Sequence, residues 1–239
     1  MRNNQELDPV KYYDKISSKY ESTINSDPDN SKIRDEVKHY FLNNVSGKIV
    51  LDFGGGTGND LYWLFENGFN IYFCEPSNGM RDIALKKMHG ANTESNVIIL
   101  EDLNTDFHNW NKSDNPFQNK VDGILANFAV INSIKDLEEL SYKLALISNK
   151  NCKLIILVLN INFNRIISSN LPVIIKLLFK GYGFATEVKD ENNQMIVYLH
   201  TSSKLIKSFK KYFELVESFR AQKSIFRIFH FIRNDKEIV

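Results

Sequence analysis

Apolar residues along the chain change their period near Gly47. Before it, Tyr13, Ile16 and Tyr20 recur at helical spacing, a polar loop follows at Asp27-Pro28-Asp29, and a second helix is predicted from about Ser31 to Leu42. After it, short apolar runs alternate with amphipathic stretches. Lys48–Phe53, Asn70–Cys74, Val97–Leu100, Val121–Asn127 and Cys152–Leu159 read as strands, with helices at Asp60–Asn67, Asn78–Met88 and Ile134–Ile147 between them. Strands that are apolar along their whole length are buried on both faces, the signature of a parallel sheet covered by helices on either side.

The stretch from Ile161 to about Thr201 breaks that rhythm. It predicts a helix at Asn162–Phe179, a Gly181-Tyr182-Gly183 turn and two strand-like runs flanking a polar turn at Lys189–Gln194. A helix at Ser202–Tyr212 and strands at Phe213–Phe219 and Ser224–Ile232 then complete the pattern; the short link between the last two lets them pair antiparallel. The expected fold is α/β, a three-layer sandwich on a seven-stranded, mostly parallel sheet whose last strand is antiparallel. Residues 1–45 read as a helical cap, 46–160 and 201–239 as the core, and 161–200 as an inserted helix and hairpin. Ile166, Ile167, Leu171, Val173, Ile174, Ile175, Leu177, Leu178 and Phe179 are too many apolar residues for one solvated helix. The insertion is therefore read as a lid lining an apolar pocket, with a dimer contact and an interfacial membrane contact through Arg165, Lys176 and Lys180 as the competing readings.

Composition narrows the picture. With 239 residues, 43% hydrophobic and 25% charged, the chain supports one core, and a net charge of +1 lacks the strong positive field of a nucleic-acid binder. The charge is uneven: residues 1–150 hold 16 Lys/Arg against 22 Asp/Glu, and residues 151–239 hold 14 against 7. The polar start and an apolar run at Leu171–Phe179 too short for a bilayer predict a soluble, cytoplasmic protein, monomeric or homodimeric, with peripheral membrane contact as the open exception. Cys74 and Cys152 match no metal or redox spacing and read as reduced core residues.

Val50-Leu51-Asp52-Phe53-Gly54-Gly55-Gly56-Thr57-Gly58 is a buried strand running into glycines and then a helix. Without Cβ atoms the backbone turns sharply and approaches a ligand closely, while the helix start offers free N–H groups. A dinucleotide fingerprint starting at Gly54 needs glycine where Asn59 stands, and no Gly-Lys-Ser/Thr closes a phosphate loop. The spacing that fits is acidic-x-Gly-x-Gly-x-Gly, met by Asp52, Gly54, Gly56 and Gly58, and in it the chain resembles the class I S-adenosylmethionine-dependent methyltransferases. Glu75 ends the next strand, 23 residues after Asp52, where a carboxylate accepts hydrogen bonds from both hydroxyls of an adenosine ribose. Glu75-Pro76-Ser77-Asn78-Gly79-Met80 is similar to the family's second motif.

The resemblance implies further contacts. Asp102 and Leu103 follow the third strand, where the family presents an acidic side chain and an N–H to the adenine; Asn127 and Phe128 follow the fourth, beside the methionine portion. Tyr13 and Tyr20 resemble an N-terminal pairing that folds over the cofactor. The implied cofactor is S-adenosyl-L-methionine, the product S-adenosyl-L-homocysteine, and the partner a small-molecule acceptor whose O, N or C nucleophile is not identified. The implied cofactor-binding set is Tyr20, Asp52, Gly54, Gly56, Gly58, Glu75, Pro76, Met80, Asp102, Leu103, Asn127 and Phe128.

Such chemistry needs alignment and exclusion of water more than catalytic groups. For a hydroxyl acceptor the candidate base is His200, before a helix at the end of the predicted hairpin; Tyr13 is the aromatic candidate at the transfer site. No metal is expected, because Asn127 and Asn160 stand where a hard cation would want carboxylates. The residues after the fourth strand are Asn127-Phe128-Ala129-Val130, not Asn-Pro-Pro-Tyr, which lowers the nucleic-acid reading. An inactive cofactor-binding scaffold, an RNA or protein methyltransferase and a nicotinamide enzyme stay open as alternatives.

Overall fold

The structure, a computed structural model, describes residues 5–91, 96–159, 163–190 and 193–238. In chain order the elements are β1 Gln5–Leu7, α1 Pro9–Asn25, α2 Pro28–Asn44, β2 Ile49–Phe53, α3 Leu61–Glu66, β3 Asn70–Cys74, α4 Asn78–Ala91 and β4 Val97–Ile99. There follow β5 Val121–Ala126, α5 Leu137–Ile147, β6 Ser148–Leu159, α6 Phe163–Phe179, β7 Ala185–Asp190, β8 Asn193–Tyr198, α7 Ser202–Phe209, β9 Phe213–Arg220 and β10 Phe226–Arg233.

Seven strands form one sheet in the order β4-β3-β2-β5-β6-β10-β9. The pairs β4-β3, β3-β2, β2-β5 and β5-β6 are parallel, whereas β10 runs antiparallel to both neighbours. Successive strand residues point to opposite faces, so neighbours such as Val50 and Leu51, or Leu154 and Ile155, feed two separate cores. One core packs Leu51, Ile124 and Leu154 under Leu140, Leu144 and Phe209; the other packs Val50, Leu125 and Ile155 under Ile33, Phe41 and Leu64. This is the expected three-layer α/β sandwich, with its last strand antiparallel. From β2 the chain first builds outward to β3 and β4, then crosses to β5 on the other side. Strand order therefore reverses between β2 and β5, and the helices there leave a crevice at the carboxyl ends.

The elements differ from expectation where side chains cap the backbone. α2 begins at Pro28 rather than near Ser31, because Asp27 accepts the N–H of Asp29 and proline suits a first helical position. α5 begins at Leu137 rather than Ile134, since Asp136 caps Glu138 and Glu139 while Val130–Ser133 forms a separate 3-10 turn. The N-terminal segment is not purely helical: β1 pairs in parallel with β8, giving a second sheet of order β1-β8-β7. The reason is that an isolated hairpin leaves a row of unpaired main-chain groups, and residues 5–7 satisfy one edge. Asn160, the first residue of the predicted helix at Asn162, and Glu191 and Asn192 of the predicted turn lie outside the described residues.

The second sheet is joined to the core by α1 and by Asn132. Tyr12 of α1 packs with Met195 and Val197, and Asn132, 1% exposed, donates to Tyr198 O (2.8 Å) while accepting from Leu159 N–H (2.9 Å). Losing a buried side chain that satisfies two backbone groups costs more than the hydrogen bonds themselves, because the groups left behind stay desolvated. Asn132→Ala is expected to lower unfolding free energy by about 1–3 kcal/mol, read as a lower urea midpoint at unchanged slope.

Candidate active site

After Phe53 the chain turns through Gly54, Gly56 and Gly58, with φ of 69°, 58° and 75°. These left-handed values favour glycine. A Cβ at Gly56 would enter open space, so this backbone faces a cleft, whereas a Cβ at Gly58 would lie 2.9 Å from that of Ala84 and push α4 away. Gly58 thus permits close packing of loop on helix and does not line the cleft.

The cleft, about 730 Å³ including its open mouth, is lined by Tyr13, Tyr20, Gly54, Gly56, Glu75, Pro76, Met80, Asn127 and Phe128. These expected site residues come from four separate stretches of chain. Glu75 is 6% exposed; one carboxylate oxygen accepts the Gly56 N–H (2.8 Å) and the other the Ser77 N–H (2.8 Å). Burial pushes its carboxyl up to about 7, although the two N–H donors and Arg81 act in the opposite direction. Helix α1 clamps this corner. Asp14 accepts Ser77 Oγ (2.7 Å) and Gly79 N–H (2.9 Å) at the start of α4, and Glu21 accepts Thr57 Oγ1 (2.8 Å) while pairing with Lys87. Tyr13 and Tyr20 stand edge to face across the cleft, 6.0 Å between centroids, and burial raises both phenols, so they stay protonated.

The far wall is built around a residue that the sequence pattern hides. Arg34 of α2 lines the cleft, its guanidinium carbon 4.3 Å from the Phe128 ring centroid and one nitrogen 3.6 Å from Asp60 Oδ2. Among the described residues it makes no hydrogen bond. Both oxygens of Asp60 are used, by Trp63 Nε1 (3.0 Å) and Asn127 Nδ2 (2.9 Å). Arg34 follows Ile33 in an ordinary amphipathic helix, so spacing alone does not mark it. Phe128 and Ala129 hold φ of 45° and 64°, two successive left-handed residues other than glycine, and the Phe128 N–H is taken by Asn127 Oδ1 (2.9 Å).

Phe128, Tyr13, Tyr20 and Ser133 also border a second cavity, about 1070 Å³ with its mouth. Its other walls include Tyr12 and Ile16 of α1, Leu159, Met195 and Val197, and Phe226, whose ring meets Phe128 edge to face at 5.7 Å. Among its polar wall groups, Lys19 pairs with Asp190 at 2.8 Å, Asn132 bonds to backbone, and Ser133 Oγ donates to Val130 O.

Besides Gly58, four expected site residues lie elsewhere. Asp52 is 1% exposed and behind the loop; burial and the charges of Asp60 and Glu75 push its carboxyl well above the usual range, and Oδ2 has no partner among the described residues. Asp102 and Leu103 lie after β4 in a 3-10 turn, Leu103 75% exposed, and border neither cavity. His200 is not brought to the site. It is 3% exposed, its Nε2–H donates to Ile134 O (2.9 Å), and burial lowers its pKa to about 4. A neutral ring committed to a backbone carbonyl and bordering neither cavity tethers the hairpin's end to the core.

Comparison with known proteins gives a consistent picture. The family model described as Methyltransferase domain matches residues 27–221. An uncharacterized methyltransferase of Geobacillus kaustophilus is 41% identical over 56 residues, 23% of this chain and 24% of that protein, so the match spans about a quarter of the relative's length. The magnesium protoporphyrin IX methyltransferase of Synechocystis, solved with bound SAH, superposes with a TM-score of 0.64 at 16% identity, covering 94% of this chain and 97% of that one. The 1,6-didemethyltoxoflavin-N1-methyltransferase of Burkholderia thailandensis, solved with its acceptor and S-adenosylhomocysteine, gives 0.58 at 13% identity, covering 96% and 92%. At these identities the two structures speak for the fold.

Glu75 generates a pH prediction. Its carboxyl rises in the folded state, so the folded protein binds the extra proton between the unfolded value near 4.5 and about 7, and ligand-free stability falls as pH rises through that window. Glu75→Gln removes the titration. Its unfolding free energy relative to wild type is expected to increase by about 1–3 kcal/mol between pH 5 and pH 8, measured by urea unfolding of the ligand-free proteins.

Proposed function

This chain belongs to the Methyltransferase domain family, and we infer that it is an enzyme that uses S-adenosylmethionine to methylate a small, partly apolar acceptor. The observation that carries this reading is Glu75, a buried carboxylate beside the open Gly56 backbone at the strand-order reversal. Beyond its two N–H bonds the carboxylate has lone pairs to spare, which a ligand with hydroxyl donors fits. The other end of the cleft fits the same molecule. Arg34, paired with Asp60 but making no hydrogen bond among the described residues, presents a guanidinium matching a carboxylate, and Asp60 beside it matches an ammonium.

S-adenosylmethionine supplies a methyl group already activated on a sulfonium sulfur. The chain's own residues have three tasks. Glu75 accepts the ribose hydroxyls on lone pairs left beside the two N–H bonds it already holds. Arg34 and Asp60 hold the amino-acid end. The rings of Tyr13, Tyr20 and Phe128 line the junction with the second cavity, where aromatic faces favour positive charge and keep water out. The second cavity takes the acceptor, and its aromatic and aliphatic walls select an apolar body held for in-line attack. The two superposing methyltransferases are named for magnesium protoporphyrin IX and 1,6-didemethyltoxoflavin, which supports a small-molecule acceptor.

Calorimetry with S-adenosylhomocysteine tests the reading directly. Glu75→Ala should weaken binding by about ten- to a hundredfold, the size expected for hydrogen bonds to a charged group. Wild-type affinity should rise from pH 6 to pH 8, because ionised Glu75 is the better acceptor. Arg34→Met should weaken S-adenosylhomocysteine by about tenfold or more while leaving its decarboxylated analogue nearly unaffected. Absence of binding heat with the folded wild-type protein sinks the assignment. Incubation with labelled donor and a panel of apolar phenols, amines and carboxylic acids then identifies the nucleophile.

A further inference from the structure

The insertion has two sides, and the cavity accounts for only one. On the inner side β8 turns Met195 and Val197 toward the second cavity and α1. On the outer side α6 buries Leu177 against Ala185 and Ile196, with Ile174 also buried, and leaves Leu171, Ile175, Leu178 and Phe179 exposed by 44, 43, 49 and 90%. Their spacing of four, three and one puts them on one helical stripe. A contiguous apolar stripe with positive charge at its rim marks an interaction surface.

The charges around the stripe indicate what covers it. The sequence of α6 contains Arg165 and Lys176, is followed by Lys180, and has no acidic residue. The nearest acid on the neighbouring strand, Glu187, has a side chain only 3% exposed, beneath Lys176 at 3.4 Å and Lys189 at 3.2 Å, both of which are 55% exposed. The arrangement hides the negative charge and turns the positive charge outward. A two-fold contact between copies of this face would set lysine against lysine. An anionic lipid headgroup layer complements it, with the apolar side chains entering the boundary below. At 17 residues, or about 25 Å, the helix is too short to span the bilayer, and none of the described helices is long and apolar enough to do so.

We propose that the outer face of α6, led by Phe179 and Leu178 and flanked by Lys176 and Lys180, docks this protein on an anionic membrane surface. The insertion then joins a lipid-facing side to a wall of the second cavity. Where that cavity takes an apolar acceptor, as proposed above, the acceptor reaches it from the bilayer.

Flotation of the full-length protein with vesicles tests this. Vesicles of phosphatidylcholine with about one third phosphatidylglycerol should carry at least roughly tenfold more protein than phosphatidylcholine alone, and high salt should release it. Phe179→Glu and Lys180→Glu should each abolish the effect; both sites are exposed, and unchanged circular dichroism and S-adenosylhomocysteine affinity would show the fold intact. Protein that floats with neither vesicle, or equally with both, overturns the proposal. So does a dimer in sedimentation equilibrium that Phe179→Glu dissociates, which would make the occupant a second copy. Because cofactor affinity is measured separately, loss of membrane binding with that affinity intact leaves the enzymatic reading standing.

Discussion

The carboxylate of Glu75 is the point through which four parts of the molecule are held in register. It takes one N–H from the loop after β2 and another from the first turn before α4, at 2.8 Å each, so the glycine turn and the helix are fixed relative to the end of β3. Asp14 then reaches from α1 to the same turn, accepting from Ser77 and Gly79. Charge-assisted bonds of this kind are short and directional, and in a buried corner they are not screened by water. The position of α1, and with it the two tyrosines over the cleft, therefore follows in part from a carboxylate to which α1 makes no hydrogen bond among the described residues.

That dependence carries outward. α1 is also a wall of the second cavity and packs Tyr12 against β8, while β1, just before it, completes the small sheet. The cap and the insertion, far apart in sequence, thus make one cover over the carboxyl ends of the strands. Asn132 ties that cover to the core through Tyr198 and Leu159.

The fold was legible because its strongest signals are local. Runs such as Ile71–Cys74 and Leu154–Val158 are apolar on both faces, and the glycines after Phe53 satisfy one spacing and reject two others. Glu75, Asn127 and Phe128 were legible by their register with those strands. Three kinds of feature were not. Helix starts were missed where Asp27 and Asp136 act as caps rather than as loop residues. The pairing of β1 with β8 joins segments nearly two hundred positions apart and leaves no periodic trace. His200 attracted attention for its chemistry, yet the buried ring donates to Ile134 O, and Arg34, which faces the cleft, looked like any polar position on a helix.

The balance of charge in the cleft links these observations. Asp52, Asp60 and Glu75 converge where the only cation among the described lining residues is Arg34, and each raises the cost of ionising the others. In the ligand-free protein part of that cost is met by protonation: burial and neighbouring charges hold Asp52 well above the ordinary carboxylate range, and burial holds Glu75 near 7. A neutral ligand would leave the imbalance as it is. A ligand bearing more positive than negative charge, with a carboxylate for Arg34, would relieve it, and the gain would fall mainly on the charged centre the cleft surrounds. The same excess of acid that weakens the empty fold at neutral pH would thus favour a sulfonium donor over its uncharged thioether product, helping the spent molecule to leave.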